Sequence, residues 1–342
     1  MGRKLIYDLS PCLYGSLFSA TTEVKRNGAK PVQKPEYECP KFHFDYGDIV
    51  TFKILDELTK LKRNFNVDEV IIAVDNSSGG YWRKDYWAGY KYGRKKGRDD
   101  SEIEWDKAFP VFEDIKKLLK DHSSYKVLDV PRAEADDIGF VLSEYLSDEG
   151  HEIILYTVDH DWIYNLKHPG VQYWKDNRTS KRDSHYVEAE PGELIELELD
   201  HLIGGDPGDY IKNVKAYSVF SPLFKEIYPH MTELKAWPMR HEIDIAFEEK
   251  YGESAYKHPR YGYKMFLRSK LTVTELLAQN PIYKLNYDLN KIIAMPEGIP
   301  QEIRKNIIEE YHNAPSEKNA KELNTFFIEN NLFELTEFIA FI

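Results

Sequence analysis

The chain has 342 residues, 42% of them hydrophobic and 30% charged, with a formal net charge of −12. That length buries a sizeable core in one large domain or two modest ones. The acidic balance argues against a protein that coats nucleic acid over its whole surface, but phosphate binding depends on local charge.

No run approaches the ~20 apolar residues of a membrane span, and the N-terminus MGRKLIYDLS lacks the apolar core of a signal peptide. The only cysteines are Cys12 and Cys39, which suit a reducing, cytoplasmic compartment and supply neither a disulfide framework nor a Cys-based zinc site. KLIYDLS (4–10) is a short apolar run ending in Asp8. Residues 19–46 are polar, contain three prolines and read as a long loop. In 48–65, Ile49, Phe52, Leu55, Leu58 and Leu61 recur every three residues, the spacing of a helical face. DEVIIAVDNSSGG (68–80) is a buried-type strand closed by Asp75 and a Ser/Gly turn. Residues 106–120 read as a helix, and YKVLDVP (125–131) as a strand stopped by Pro131. EADDIGFVLSEYLSDEG (134–150) reads as a helix with acids in its first turn and Gly150 after its end. HEIILYTVDHDW (151–162) is another strand ending in acids, and VQYW (171–174) a further short one. Beyond about residue 215 the periodicity is helical, as in QEIRKNIIEEYH (301–312) and the last twenty or so residues.

Strands alternating with helices predict an α/β fold with a mostly parallel sheet. The expected division is a catalytic part over 1–214 and a mainly helical C-terminal subdomain over 215–342, packed on the first.

Three predicted strands end in acids: Asp8, Asp75, and Asp159 with Asp161. Functional groups of open parallel sheets gather at the carboxyl ends of strands. The EADD helix start adds Glu134, Asp136 and Asp137, and GGDPGD (204–209) adds Asp206 and Asp209. One Asp after a strand is usually a turn former or helix cap. Nine acids converging would repel strongly, and divalent cations resolve that repulsion. An all-oxygen donor set suits Mg²⁺, with Mn²⁺ able to substitute, and two ions would clamp a phosphodiester for in-line attack. His160 alternates with its acidic neighbours along the run and so points away from them.

YWRKDYWAGYKYGRKKGR (81–98) holds seven Arg or Lys, six aromatics and one acid. If 81–96 is helical, Arg83, Trp87, Tyr90 and Arg94 share one face, with Lys84 and Lys91 on the next stripe. Tyr86 and Trp87 suit stacking on unpaired bases; Arg94, Lys95 and Lys96 suit phosphates. Gly89, Gly93 and Gly97 would each weaken such a helix by about 1 kcal/mol.

With these residues assembled, the chain resembles the 5′ nuclease family of flap endonucleases and 5′→3′ exonucleases. Within it, the ribonucleases H of T-even-type bacteriophages look most similar. The carrying motifs are YDLS at Asp8, the run from Asp75 through 98, EADD at Glu134, VDHDW at Asp159 and LIGGDPGDYIKNV at Asp206, in family order across roughly 4–215. The resemblance implies a PIN-like central sheet flanked by helices, with a helical arch over a metal site. It implies Mg²⁺-dependent cleavage near the 5′ end of a primer or flap during replication. By motif match, Asp8, Asp75, Glu134, Asp136 and Asp137 would serve a first metal region; Asp159, Asp161, Asp206 and Asp209 would serve a second. Tyr90 and Lys91 match the arch pair set against the scissile phosphate, Lys91 stabilising developing charge. Arg83 and Lys84 both occupy the preceding basic position. Many relatives follow the last acids with a GIG-x-KTA helix-hairpin-helix, and NVKAYSVFSPLFKEIYP here departs from it.

Two other classes compete. A non-catalytic binder of branched nucleic acid has no use for nine carboxylates that repel phosphate. A haloacid-dehalogenase-type phosphatase needs an aspartate pair after the first strand, and Asp8 is followed by Leu9 and Ser10. Expected partners are a DNA flap or RNA–DNA hybrid, with a sliding clamp or single-strand-binding protein as candidate replication partners. Phe333, Phe338 and Phe341 in the terminal segment are the residues available to dock a clamp. A monomer is expected, with no membrane association, in the host cytoplasm if phage-encoded.

Overall fold

The computed structural model describes residues 2–37, 39–92, 94–175, 185–216, 260–316, 320–329 and 332–340. The chain forms two compact units, one from residues 1–77, 95–188 and 302–342, the other from 78–94 and 189–301. Residue 214, where the sequence changes character, falls inside the second.

The first unit opens with β1 (Arg3–Asp8), α1 (Leu9–Arg26), α2 (Tyr46–Phe65) and β2 (Glu69–Ala73). It continues with α3 (Arg94–Asp99), α4 (Trp105–His122), β3 (Lys126–Leu128) and α5 (Ala135–Asp148). Strands β4 (Glu152–Thr157), β5 (Val171–Lys175) and β6 (His185–Val187) complete the sheet. Its order is β3-β2-β1-β4-β5-β6, parallel except for the antiparallel β5–β6 pair. The expected α/β architecture is therefore present. β1 runs outward to β2 and β3, then the chain returns to lay β4 on the other side of β1, so the order reverses between β1 and β4.

Strands covered on both faces read as unbroken apolar runs. Leu5, Tyr7, Val70, Ile72, Val127, Ile154 and Tyr156 join one core with α1, α2 and α4. The alternate residues Ile6, Ile71 and Leu155 are equally buried, and α5 packs across β4, β1 and β2. Residues 19–26, expected as loop, are the last two turns of α1, whose buried Leu9, Cys12, Leu13, Ser16, Leu17 and Ala20 follow helical spacing. Pro11 and Gly15 blur that signal, but Pro11 lies in the first turn, where its missing N–H costs nothing.

In the second unit the basic aromatic stretch is not one helix. A 3₁₀ turn spans Trp82–Asp85, turns follow, and Lys91 adopts the left-handed conformation at φ 59°. Next come α6 (Pro191–Leu199), α7 (Tyr263–Ser269), α8 (Val273–Ala278) and α9 (Pro281–Ile293). Trp87, Tyr90, Ile211, Ile282, Leu289 and Ile293 form one of its apolar clusters. Buried Asn290 Nδ2 donates to Leu202 O and Lys212 O at 3.1 and 3.0 Å, and Asn286 Nδ2 to Val214 O at 2.9 Å. These bonds staple the glycine-rich turn to α9.

The chain then rejoins the first unit through α10 (Gln301–Asn313) and α11 (Ala320–Glu329). Leu323, Phe327 and, from a final 3₁₀ helix (Phe333–Ala340), Leu335 are buried in its core. No helix among the described residues is long and apolar enough to cross a membrane.

Candidate active site

The strand order reverses between β1 and β4, and ligands of open parallel sheets favour the carboxyl ends of strands at such a reversal. Asp8 ends β1 there and is 2% exposed. Tyr7 pairs with Tyr156, so Thr157 lies beside Asp8. Thr157 Oγ1 donates to Asp8 Oδ2 at 2.7 Å and accepts the Asp159 amide at 3.0 Å. Asp159 Oδ1 in turn accepts the Asp161 amide at 3.0 Å, opening a 3₁₀ helix over His160–Lys167. Tyr173 on β5 donates its hydroxyl to Asp159 O at 3.0 Å. Burial, followed by the negative charge of Asp159, Asp8 and Asp161, pushes the Tyr173 phenol well above its ordinary range. Those three carboxylates therefore share one local field. His160 is exposed.

On the other side of β1, Asp8 pairs with Ala73, so Asp75 lies two residues past that register. Asp75 Oδ1 accepts the Ala135 amide at 2.9 Å and so satisfies the open N-terminus of α5. Glu134 caps the helix, and its own amide donates to Asp137 Oδ2 at 2.9 Å. Glu134 and Asp137 are 1% and 0% exposed. Asp136 Oδ1 accepts Trp162 Nε1 at 2.7 Å, which ties α5 back to the 3₁₀ helix after Asp161. The indole reaches it only because position 139 is glycine: a Cβ there would sit 2.6 Å from the Trp162 ring. The structure thus links Asp8, Asp75, Glu134, Asp136, Asp137, Asp159 and Asp161 around the ends of β1, β2, β4 and the start of α5. Thr157, Tyr173, Trp162 and Gly139 were not singled out by sequence. A threonine closing the apolar run IILYT was the one available signal.

Asp206 and Asp209 belong to the second unit. Gly205 has φ 68°, and a Cβ there would lie 2.5 Å from Ile211 O, so the turn requires glycine. Asp206 Oδ1 accepts the Gly208 amide at 2.8 Å. Asp209 accepts Tyr90 Oη at 2.8 Å and Arg94 Nη2 at 2.6 Å, with Lys91 Nζ 3.8 Å away. The Lys91 amide donates to Asp209 O at 3.0 Å. Two residues expected on the substrate and one expected on nucleic acid therefore meet a carboxylate expected on metal.

The remaining basic and aromatic candidates divide by burial. Arg83 is 5% exposed, donates Nε to Ile293 O at 2.8 Å and stacks 4.4 Å over Trp82. Lys84 is exposed. Trp87 is 2% exposed, with Nε1 bonded to Tyr210 O at 3.1 Å, whereas Tyr86 is exposed. The side chains of Lys95, Lys96 and Phe338, and Phe341 altogether, lie outside the described residues. Phe333 is exposed.

As the side chains stand, no group of three or more His, Cys, Asp or Glu among the described residues is set to hold a metal ion. The chemistry of the donor set nevertheless fits a hard divalent cation: the acids are all oxygen donors, and Asp8, Glu134 and Asp137 are buried.

Residues 47–192 match the family model described as 5'-3' exonuclease, N-terminal resolvase-like domain. Ribonuclease H of Enterobacteria phage T4 is 30% identical over 161 residues, 47% of this chain and 51% of that protein. The alignment thus spans about half the length of this curated relative. A 5'-3' exonuclease of Buchnera aphidicola (subsp. Acyrthosiphon pisum) is 26% identical over 209 residues, 58% of this chain and 68% of the relative. Among solved structures, the T5 5′-exonuclease with bound zinc superposes with TM-score 0.51 at 13% identity, covering 92% of this chain and 100% of that one. The bacteriophage T5 D15 flap endonuclease, in a complex with DNA and metal ions, gives 0.50 at 15% identity over 91% and 99%. In sequence over residues 47–192, and in fold over most of its length, this chain is similar to proteins described as 5′-3′ exonucleases.

Proposed function

We propose that the chain is a divalent-metal-dependent 5′ nuclease that hydrolyses phosphodiesters near the 5′ end of RNA primers or DNA flaps during replication. The observation that carries this reading is the linked set of seven acids around the β1/β4 reversal. A protein that only bound nucleic acid would gain nothing from carboxylates there, because they repel phosphate. The T5 relative's complex with DNA and metal ions supports a nucleic-acid substrate.

Asp8, Asp75, Glu134, Asp136, Asp137, Asp159 and Asp161 would hold Mg²⁺, with Mn²⁺ as substitute; Asp206 and Asp209 are metal candidates by motif alone. When bound, such ions acidify a water and neutralise charge on the phosphodiester oxygens. The chain's own groups prepare for that. Thr157 and Tyr173 fix Asp8 and Asp159 by hydrogen bonds, and the α5 N-terminus fixes Asp75. Lys91 and Tyr90 are the residues for the scissile phosphate, Arg94 for a neighbouring one. Burial of Arg83 favours exposed Lys84 as the second basic contact. Exposed Phe333 leaves clamp docking open to test in a cytoplasmic monomer.

The deciding experiment incubates an end-labelled 5′-flap DNA and a 5′-RNA-primed duplex with the protein in Mg²⁺, in EDTA, and with Asp75→Asn protein. Cleavage is expected in Mg²⁺ alone, and Asp75→Asn should lower the rate about 10²–10³-fold or more. Tight binding without cleavage under any divalent ion would overturn the reading in favour of a binding module.

A further inference from the structure

The loop between α1 and α2 does work that the nuclease reading leaves unassigned. Val32 and Lys41 exchange backbone hydrogen bonds at 2.8 and 3.0 Å, closing the loop on itself. Phe42 then bridges to Ile103 in parallel, its amide on Glu102 O at 2.8 Å, and both side chains are buried. Lys41 is 6% exposed and donates Nζ to Asp99 O at 2.9 Å and to Ser101 O. Cys39 Sγ lies 3.1 Å from Ser101 O. Glu104, 1% exposed, accepts from the Tyr37 hydroxyl, contacts His43 Nδ1 at 2.9 Å and accepts Lys107 Nζ at 2.9 Å. Apart from the Val32–Lys41 pair, each of these bonds falls on 99–107, from the last residue of α3 into the first turn of α4.

α3 has six residues and contains Gly97. A helix of that length has no stability of its own in water. Its position must come from what holds its ends. A lysine ammonium at the last carbonyls is the charge a helix C-terminus favours. The basic stretch carrying Arg94, Lys95 and Lys96 ends in this helix.

We propose that residues 28–37 and 39–45 form a strap that fixes the carboxyl leg of the basic stretch, with Tyr37, Lys41 and Glu104 as positioning residues for nucleic-acid binding. The strap's effect on substrate rests on the nuclease reading; its hold on 94–104 does not. The test compares Lys41→Met, Tyr37→Phe and Glu104→Gln with wild type in two measurements. One is amide hydrogen exchange over 94–104. The other is steady-state cleavage of a 5′-flap duplex in Mg²⁺. Lys4→Met serves as control, because it removes a half-buried lysine bonded to Glu69 and Tyr311 elsewhere in the same unit.

Lys41→Met and Glu104→Gln should speed exchange in 94–104 about tenfold, and Tyr37→Phe less. KM should rise about tenfold while kcat stays within about twofold. Lys41→Arg should restore both, and Lys4→Met should change neither. Tyr37→Phe, the mildest change, keeps the test open if the other variants fold poorly. Exchange spread evenly over the unit, or faster exchange in 94–104 with an unchanged KM, would overturn the proposal. If wild-type protein neither binds nor cleaves the flap, the nuclease reading falls, and the exchange data alone then decide whether the strap holds its segment.

Discussion

A buried carboxylate needs a donor or a cation, and three of the donors here are neutral: the Thr157 hydroxyl on Asp8, the Ala135 amide on Asp75 and the Trp162 indole on Asp136. Trp162 is the neighbour whose position depends most on a single atom. Gly139→Ala would place a methyl 2.6 Å from the indole. Such overpacking costs about 1–3 kcal/mol, to be read as a fall in the urea midpoint, and should also break the bond to Asp136. Glu104 gives a second residue-scale prediction. Burial opposes its ionisation, but hydrogen bonds from Tyr37, Lys107 and His43 overcome that and hold its carboxyl down at about 2, against 4.5 ordinarily. The depressed pKa means that Glu104 contributes stability above pH 4.5 and loses it as pH falls towards about 2. Glu104→Gln should be less stable at neutral pH and lose less on acidification across that window, as seen by thermal melts at a series of pH values.

At the scale of elements, the periodic and the apolar were legible and the mixed was not. Residues 48–65 announce α2, and the runs VIIAV and IILYT announce β2 and β4, because one period or one composition dominates each. The sequence also placed seven acids correctly at strand ends and a helix start. The basic aromatic run 81–96, with Tyr86 and Trp87 as its stacking candidates, was the harder stretch to read. Trp82, Trp87 and Tyr90 are buried, and a 3₁₀ turn followed by turns replaces the helix on which Arg83, Trp87, Tyr90 and Arg94 would have shared a face. Spacing alone cannot say whether an aromatic faces substrate or core. α11 was legible as a helix but not as part of the sheet unit's core. Deleting 320–342 strips Leu323, Phe327 and Leu335 from that core. At about 1.5–3 kcal/mol each, the loss is about 5–9 kcal/mol, comparable with the whole stability of many domains. The truncated protein should appear in the insoluble fraction or unfold without a cooperative transition.

At the scale of the molecule, each unit is woven from separate stretches of chain, so neither boundary is visible as a linker in sequence. The basic stretch leaves one unit at Ser77 and comes back to it at Lys95. On the way, it gives Tyr90, Lys91 and Arg94 to Asp209, a residue with one negative charge. Whatever draws Arg94 off, a phosphate above all, returns that charge to the carboxylate and makes it a better cation ligand. Linkage is reciprocal, so a cation that engages Asp209 makes Arg94 a better phosphate ligand by the same free energy. Such couplings are typically about 5–150-fold. Calorimetry of Mg²⁺ binding should therefore show tighter affinity in the presence of a non-cleavable flap analogue. Arg94→Met protein should bind Mg²⁺ more tightly without nucleic acid and show a smaller gain when it is added. An unchanged gain would mean that Arg94 and the cation do not compete for Asp209. If the gain shrinks in Arg94→Met, the contact that quiets the acid in the resting protein is the device that makes metal and substrate arrive together.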